Sequence, residues 1–212
     1  MNRIDITNFR RPLAALAVAA SAVAALGGCA PLVVGGAMVG GGLVAIDRRT
    51  SGAQVEDQAI ELKAASRVRE LATLGHVNVT SYNRMVLITG EVPTDEDKAK
   101  VEDAIGRLEN VRSVVNELGV GANSSFGSRS NDTLLTTKVK ATLVDAKDLQ
   151  ANAFKVLTER GEVFLMGRVT EREANRSADV AASVPGVKKV VKVFEVITED
   201  ELAGIAKAGG AK

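Results

Sequence analysis

An internal repeat beyond residue 56 is the feature that most restricts the fold of this chain. Met85–Val92 (MVLITGEV) matches Glu162–Val169 (EVFLMGRV) at an offset of 77 residues, and residues 111–118 match residues 187–194 at an offset of 76. Because the offset is nearly the same for two separate segments, the sequence predicts two copies of one small structural unit. A stretch rich in Gly and Ser between the copies predicts a linker at residues 121–131.

Each copy predicts the order helix, strand, strand, helix, strand. Ile60, Ala64 and Val68 recur at helical spacing, and short β-branched runs bounded by turn residues indicate the strands. Thr94 and Thr170, each followed three residues later by an acidic residue, predict N-caps for the second helix of each copy. A right-handed strand–helix–strand crossover makes the last two strands parallel, and a short turn makes the first two antiparallel.

We therefore predict the α+β fold class, with two tandem modules that are each a three-stranded mixed sheet carrying two helices on one face (αββαβ). The modules are expected at residues 56–120 and 132–198, with a tail at residues 199–212. Gly90 and Gly167 occupy the same position of the central strand, where glycine indicates either the close approach of a helix backbone or a bulge. Both faces of that strand are apolar, so the face without helices is expected to pack against the other module or a partner.

The amino-terminal segment ends at the single cysteine of the chain. Basic residues are followed by an apolar run, and Gly27 and Gly28 precede Cys29. This order is typical of a secretory signal, which we predict at residues 1–28. A plain transmembrane helix is the alternative, because no charged residue lies between residues 13 and 46. Pro31 and the glycines of that interval weigh against a continuous helix.

The residues around Cys29 resemble the bacterial lipoprotein motif, in which an apolar residue and two small residues precede the cysteine. The resemblance implies a diacylglycerol on the Cys29 thiol and an acyl chain on the new amino terminus. Because Ala30 stands where an Asp usually retains such proteins in the inner membrane, it also implies an outer-membrane anchor, with the domains facing the periplasm. Residues 29–55 are then expected to form a Gly-rich apolar tether. The spacing of Gly36 and Gly40 leaves a helix-pairing motif as the alternative.

Composition and motif spacing argue against several classes of function. The chain has 27 basic and 26 acidic residues, no Trp and one Tyr, so a nucleic-acid surface is not expected. His76 is the only histidine, and no metal-ligand spacing accompanies it. The acidic cluster at residues 95–97 suits the first turn of a helix, where carboxylates stabilise the helix dipole. We predict that the protein is not an enzyme and needs no cofactor beyond the lipid on Cys29.

The sequence resembles the dual BON-domain lipoproteins of Gram-negative outer membranes in several features. These are the duplicated strand, the threonine helix starts, the lipoprotein motif and the segments DRRTSGAQVED (residues 47–57) and GEVFLMGRVTEREA (residues 161–174). The resemblance covers nearly the whole mature chain. It implies binding of anionic phospholipid, mainly through the second module. It also implies support of the outer membrane under stress and enrichment at division sites.

A helix predicted to begin near Asp132 offers a surface for such binding. Leu135, Val139 and Leu143 share one arc and should face the sheet, which leaves other apolar and basic residues outside. Apolar groups beside cations are suited to a membrane surface, although an ordinary solvated helix is the alternative. The residues that we assign to the lipid surface are Leu134, Lys138, Lys140, Ala141, Val144 and Lys147. A second hypothesis is an adaptor that docks on an envelope protein complex through the apolar sheet face or the tail; the oligomeric state stays open.

Overall fold

The computed structural model describes residues 47–71 and 75–210 of the 212-residue chain. The predicted signal at residues 1–28, Cys29 and most of the predicted tether lie outside the described residues. In chain order the elements are α1 (Ser51–Glu70), β1 (His76–Tyr82), β2 (Met85–Val92), α2 (Asp95–Gly106), β3 (Ser113–Asn116), β4 (Gly119–Val120), α3 (Phe126–Asp145), β5 (Lys155–Glu159), β6 (Glu162–Val169), α4 (Glu171–Ala182), β7 (Lys189–Val196) and α5 (Glu199–Gly210), with a 3₁₀ turn at Ala151–Ala153 before β5.

Two small mixed sheets confirm the predicted fold class. In the first module β1 pairs antiparallel with β2, and β2 pairs in parallel with β3 and β4. In the second module β5 pairs antiparallel with β6, and β6 pairs in parallel with β7. The last strand of the first module is interrupted between β3 and β4, where Leu118 turns into the core. Each module therefore follows the order αββαβ.

One face of each sheet packs against the two helices of its own module. In the first module Val86, Ile88 and Val92 of β2 contact buried residues of α1 and α2. In the second module Val163, Leu165 and Val169 of β6 pack against α3 and α4. The helix residues that complete the two cores are Ile60, Ala64, Val101, Ile105, Leu135, Val139, Leu143, Ala174, Val180 and Ala181.

The other faces of the two sheets pack against each other. Met85 and Leu87 of β2, with Tyr82, form one apolar cluster with Phe164 and Met166 of β6. Of the two predicted alternatives for the free sheet face, the other module and a separate partner, the structure shows the other module. Full burial of one such side chain contributes roughly 1.5–3 kcal/mol, so this cluster is a substantial part of the stability of the pair. The described chain is a stack of four layers, in the order helices, sheet, sheet, helices.

Two helix starts differ from the predicted domain layout, and the predicted tail contains a helix. α1 begins at Ser51, inside the predicted tether 29–55, because the Thr50 hydroxyl accepts a hydrogen bond from the Ala53 N–H at 3.1 Å. α3 begins at Phe126, inside the predicted linker 121–131, and the Ser125 hydroxyl caps it in the same way. Side-chain caps satisfy first-turn N–H groups, which lets a helix start next to glycine. The predicted tail 199–212 contains α5, which Thr198 and Glu201 cap reciprocally.

A buried aspartate of the first helix fixes the hairpin turn of each module. The Asp57 carboxylate accepts hydrogen bonds from the N–H groups of Asn83 and Arg84, both at 2.7 Å. The Asp132 carboxylate accepts from the N–H groups of Arg160 at 2.9 Å and Gly161 at 2.8 Å. All four turn residues have positive φ angles, so each turn exposes two adjacent donors toward the helix. The two modules use the same device at equivalent positions.

The close approach at Gly90 and Gly167 involves neighbouring carbonyl groups of the same module. A Cβ at Gly90 would collide with the carbonyl oxygen of His76 on β1, and a Cβ at Gly167 would collide with that of Ala153 in the 3₁₀ turn. The expectation that a helix backbone comes close is therefore wrong at Gly90, where the neighbour is a strand, whereas at Gly167 the neighbour is the short 3₁₀ helix. Gly90 also has φ 111°, a conformation that L side chains rarely adopt.

Candidate functional site

The outer face of α3 carries an exposed apolar stripe. Leu135, Val139 and Leu143 are buried against the sheet, as predicted. On the opposite side, Phe126, Leu134 and Val144 are exposed by 80%, 60% and 67%. Phe126 and Val144 lie about five turns apart at 3.6 residues per turn, so they share one angular position. The exposed Ala141 lies between Leu134 and Val144 along the helix, and together these residues form the α3 stripe.

The cations beside the α3 stripe are unpaired. Lys138 and Lys140 lie on α3, Lys147 follows the end of the helix, and Lys188 lies in the loop before β7. All four are exposed, and within the described ranges none of their ammonium groups has a hydrogen-bond or ion-pair partner. Their positive charges therefore remain available to an external anion.

In the first module more of the exposed cations are paired. On α1, Lys63 pairs with Glu109 and Arg67 with Glu70, while Arg69 has no ion pair within the described ranges. At α2, Lys100 pairs with Glu96 and Arg107 with Asp103. α1 carries three basic and four acidic residues, whereas α3 carries three basic and two acidic residues. The outer face of α3 therefore carries more unpaired positive charge than the outer face of α1.

The predicted lipid-surface residues lie along one surface and do not share one pocket. Leu134 and Lys138 line a depression of about 280 Å³ together with Arg160 and Lys188. Further along the helix, Lys140 and Val144 line a depression of about 310 Å³, and Lys147 lines a third of about 360 Å³. Three shallow depressions in a row are suited to contact with an extended surface rather than to enclosure of one small molecule.

Phe126 is a residue of this surface that the sequence pattern does not predict. The predicted helix begins near Asp132, which leaves Phe126 in the predicted linker and the predicted surface without an aromatic residue. The available signal was Ser125, whose hydroxyl accepts a hydrogen bond from the Ser128 N–H at 3.1 Å. This cap lets the helix begin at Phe126, six residues before Asp132. Phe126 gives the surface one exposed aromatic ring at the amino-terminal end of α3.

Arg160, although it lines the first depression, is already engaged between the modules. Its guanidinium donates to the Gly90 carbonyl at 2.6 Å and to the Glu91 carboxylate at 3.2 Å. Burial raises the pKa of Glu91, but hydrogen bonds from Ser124 and Arg160 outweigh it and leave the pKa below its usual value. Arg160 therefore ties the second module to the first, and Lys138 and Lys188 are the free cations of this depression.

The polar residues around His76 join the modules. The Nε2 atom of His76 lies 3.2 Å from the amide nitrogen of Asn78, and Asn78 donates to the Glu159 carboxylate at 2.7 Å. Burial raises the pKa of Glu159 despite the hydrogen bond from Asn78. Within residues 47–71 and 75–210, no three His, Cys, Asp or Glu side chains come together as metal ligands.

Comparison with known proteins agrees with this architecture. The family model of the BON domain matches residues 56–122 and 131–198. The chain belongs to the BON-domain family. It is 41% identical over 189 residues to outer membrane lipoprotein DolP of Haemophilus influenzae, a match that covers 88% of this chain and 97% of that protein.

Two further relatives are less similar to this chain. The chain is 34% identical over 155 residues to the 21 kDa hemolysin of Actinobacillus pleuropneumoniae, covering 72% of this chain and 80% of that protein. It is 29% identical over 144 residues to osmotically-inducible protein Y of Escherichia coli, covering 64% of this chain and 70% of that protein. None of the three relatives carries the name of an enzyme.

This BON-domain chain is an outer-membrane lipoprotein, as its similarity to DolP over most of both chains indicates. Among the helices of the described ranges, none combines the length and the apolar character needed to cross a bilayer.

Proposed function

We propose that this lipoprotein binds anionic phospholipid at the surface of its own membrane through the outer face of α3 in the second BON domain. The observation that carries the proposal is the α3 stripe, with exposed Phe126, Leu134 and Val144 beside unpaired lysines. Apolar side chains at such a surface enter the boundary between head groups and acyl chains, while the ammonium groups attract lipid phosphates.

The proposal includes acylation of Cys29, which attaches the chain to the membrane. Each buried CH₂ of an acyl chain contributes about 0.8 kcal/mol, so two or three chains hold the protein on the bilayer for a long time. Attachment keeps the α3 stripe at a high local concentration of lipid. The stripe therefore needs only a weak affinity of its own.

The expected energies agree with a weak surface contact. A lysine near an anionic membrane contributes about 1 kcal/mol, and a fully buried Leu or Phe contributes roughly 1.5–3 kcal/mol. The stripe side chains enter the boundary only in part, and the cost of orienting a protein at a surface offsets much of the gain. We expect measurable binding to anionic vesicles even without the acyl chains, and tight attachment only with them.

Vesicle co-sedimentation of the mature chain carrying Cys29→Ser tests the proposal. Vesicles of phosphatidylethanolamine with and without phosphatidylglycerol should differ, with binding only to the anionic mixture. Leu134→Glu and Lys138→Glu should each reduce binding about fivefold or more, because each removes a favourable contact and adds repulsion.

The matched control is Leu62→Glu on α1, where the wild-type Leu62 is 73% exposed on the first module. This variant should bind as the wild type does. Equal losses for Leu62→Glu and Leu134→Glu, or binding that ignores anionic lipid, would disprove the assignment to α3.

The family resemblance extends the proposal to a role in the envelope, namely support of the outer membrane under stress and at division sites. In a deletion strain, the wild-type gene should restore resistance to detergent and septal enrichment, and the Leu134→Glu variant should restore neither. Full rescue by that variant would separate the envelope role from lipid binding.

The adaptor hypothesis named two docking surfaces, the apolar sheet face and the tail. The apolar sheet face is buried between the modules and is not exposed to a partner. Docking through the tail stays a prediction.

A further inference from the structure

Arg48, which lies just before α1 of the first module, is buried in the second module. Its guanidinium makes a two-pronged ion pair with the Glu173 carboxylate at 2.7 and 2.8 Å. It also donates to the Arg168 carbonyl at 2.9 Å and to the Gln150 side-chain oxygen at 3.3 Å. The Arg48 carbonyl in turn accepts a hydrogen bond from the Arg168 guanidinium at 3.2 Å. Only 4% of Arg48 is exposed.

The neighbouring residue, Arg49, contacts the first module. Its guanidinium donates to the Asp57 carboxylate at 2.7 Å and lies over the Tyr82 ring at 4.3 Å from the ring centre. Asp47 holds the same guanidinium on its other side, at 2.7 Å. Thr50 then caps α1. Residues 47–50 therefore contact both modules at once.

The contacts of Arg48 lie near the carboxyl-terminal end of α3. Gln150 is five residues beyond the end of that helix, and Lys147 and Gln150 line the same depression as Arg48. The chain from Cys29 thus joins the folded part beside the loop that follows α3, where Lys147 lies. Fully extended, the residues between Cys29 and Asp47 reach about 60 Å, so tether length alone allows either module to face the bilayer.

We infer that residues 47–50 form a strap that fixes the two modules relative to each other and holds the root of the tether beside α3. Arg48 and Glu173 are positioning residues of this strap, and neither has to touch lipid. The inference rests on the proposed function of α3, because the strap explains how the α3 face, rather than the α1 face, is presented to the membrane. The Arg48 guanidinium is buried and paired with the Glu173 carboxylate, so Arg48 itself does not bind the membrane in this inference.

The test uses the full lipidated chain, reconstituted in vesicles that contain phosphatidylglycerol. Cys29 is the only cysteine of the sequence, so once it is acylated an introduced cysteine is the single free thiol. An environment-sensitive dye is placed on Thr137→Cys on the outer face of α3, or on Ser66→Cys on the outer face of α1. In the otherwise wild-type chain, the dye at position 137 should report the bilayer and the dye at position 66 should report water.

Arg48→Ala should reduce the difference in dye signal between positions 137 and 66 about threefold or more. The reason is that the anchored molecule then samples other orientations. Arg48→Lys, which keeps the charge but loses the two-pronged geometry, should lie between. Glu173→Gln keeps an acceptor for the Thr170 N–H and should reduce the dye contrast as much as Arg48→Ala does. The double variant Arg48→Ala with Glu173→Gln should reduce the contrast no further. Arg67→Ala, which removes an exposed ion pair of α1, is the control and should change nothing.

A second measurement separates the strap from lipid binding. With Cys29→Ser and spin labels at positions 66 and 137, the distance distribution in solution should broaden in Arg48→Ala and stay narrow in Arg67→Ala. An unchanged distribution in folded Arg48→Ala, or an unchanged dye contrast, overturns the strap. If the dye at position 137 never reports the bilayer in the wild type, the proposed function of α3 fails, and the distance measurement still decides whether the strap fixes the modules.

Discussion

At the scale of single residues, local rules predicted the caps and missed the buried aspartates. Thr94 and Thr170 are N-caps as expected, and Thr170 with Glu173 forms the reciprocal capping box. Asp57 and Asp132 were not identified, because their partners are backbone N–H groups more than 20 residues away. A signal was present: each aspartate precedes two buried positions of its helix at the same spacing, so it lies on the apolar arc in both copies.

Asp132→Asn is expected to destabilise the protein by about 2 kcal/mol, because the amide weakens two charge-assisted hydrogen bonds in a buried place. The midpoint of urea unfolding measures the loss. Asp145→Asn, at an exposed position of the same helix, should leave the midpoint unchanged. A loss of equal size in both variants would show that helix charge, rather than the turn contact, is responsible.

Glu159 is expected to make stability depend on pH in the opposite direction from most carboxylates of the interface. Burial holds its folded-state pKa above the usual value, against the hydrogen bond from Asn78, and the nearby Glu91 and Asp132 add to the shift while His76 opposes it. The folded protein therefore binds this proton more tightly than the unfolded chain does. The contribution of Glu159 to the free energy of unfolding falls as the pH rises from the usual carboxyl pKa through the raised folded value.

Glu159→Gln keeps an acceptor for Asn78 and removes the charge, so this variant should be more stable than the wild type at neutral pH. The advantage should disappear at about pH 4, where the wild-type carboxyl is protonated in the folded state. The midpoints of urea unfolding of the wild type and of Glu159→Gln, at neutral pH and at about pH 4, measure this advantage. Glu171→Gln, an exposed change on α4, should give no advantage at either pH.

At the scale of elements, α1 and α3 are equivalent helices of 20 residues with different outer faces. Periodicity predicted the buried faces of both, because apolar spacing reports the side that meets the sheet. It did not give their starts, which depend on the single hydroxyl groups of Thr50 and Ser125. The proposed lipid surface was consequently predicted without Phe126.

Phe126→Trp should strengthen binding of the Cys29→Ser chain to anionic vesicles about threefold, because indole rings favour the membrane interface more than phenyl rings do. Phe126→Ser should weaken it by a similar factor. Since Phe126 is 80% exposed, neither change should move the urea midpoint. Vesicle titration followed by tryptophan fluorescence measures the first variant directly, as the natural chain has no Trp. Equal affinities for Trp, Phe and Ser at this position would exclude it from the surface.

At the scale of the whole molecule, sequence alone predicted two modules and an apolar second face on each sheet, but not how the modules join. Apolar patterning cannot distinguish a neighbouring module from a separate partner. The polar contacts that fix the arrangement join residues far apart in the chain, such as Asn83 with Glu195 at 2.6 Å and Arg160 with the Gly90 carbonyl at 2.6 Å. Such pairs leave no periodic trace, so only the folded structure reveals them.

The shared layer of Tyr82, Leu87, Phe164 and Met166 makes each copy of the repeat the solvent shield of the other. A chain shortened to one copy would expose one apolar face of its sheet to water. We expect such a single module to dimerise or aggregate through that face. The solubility of each copy therefore depends on the presence of the other.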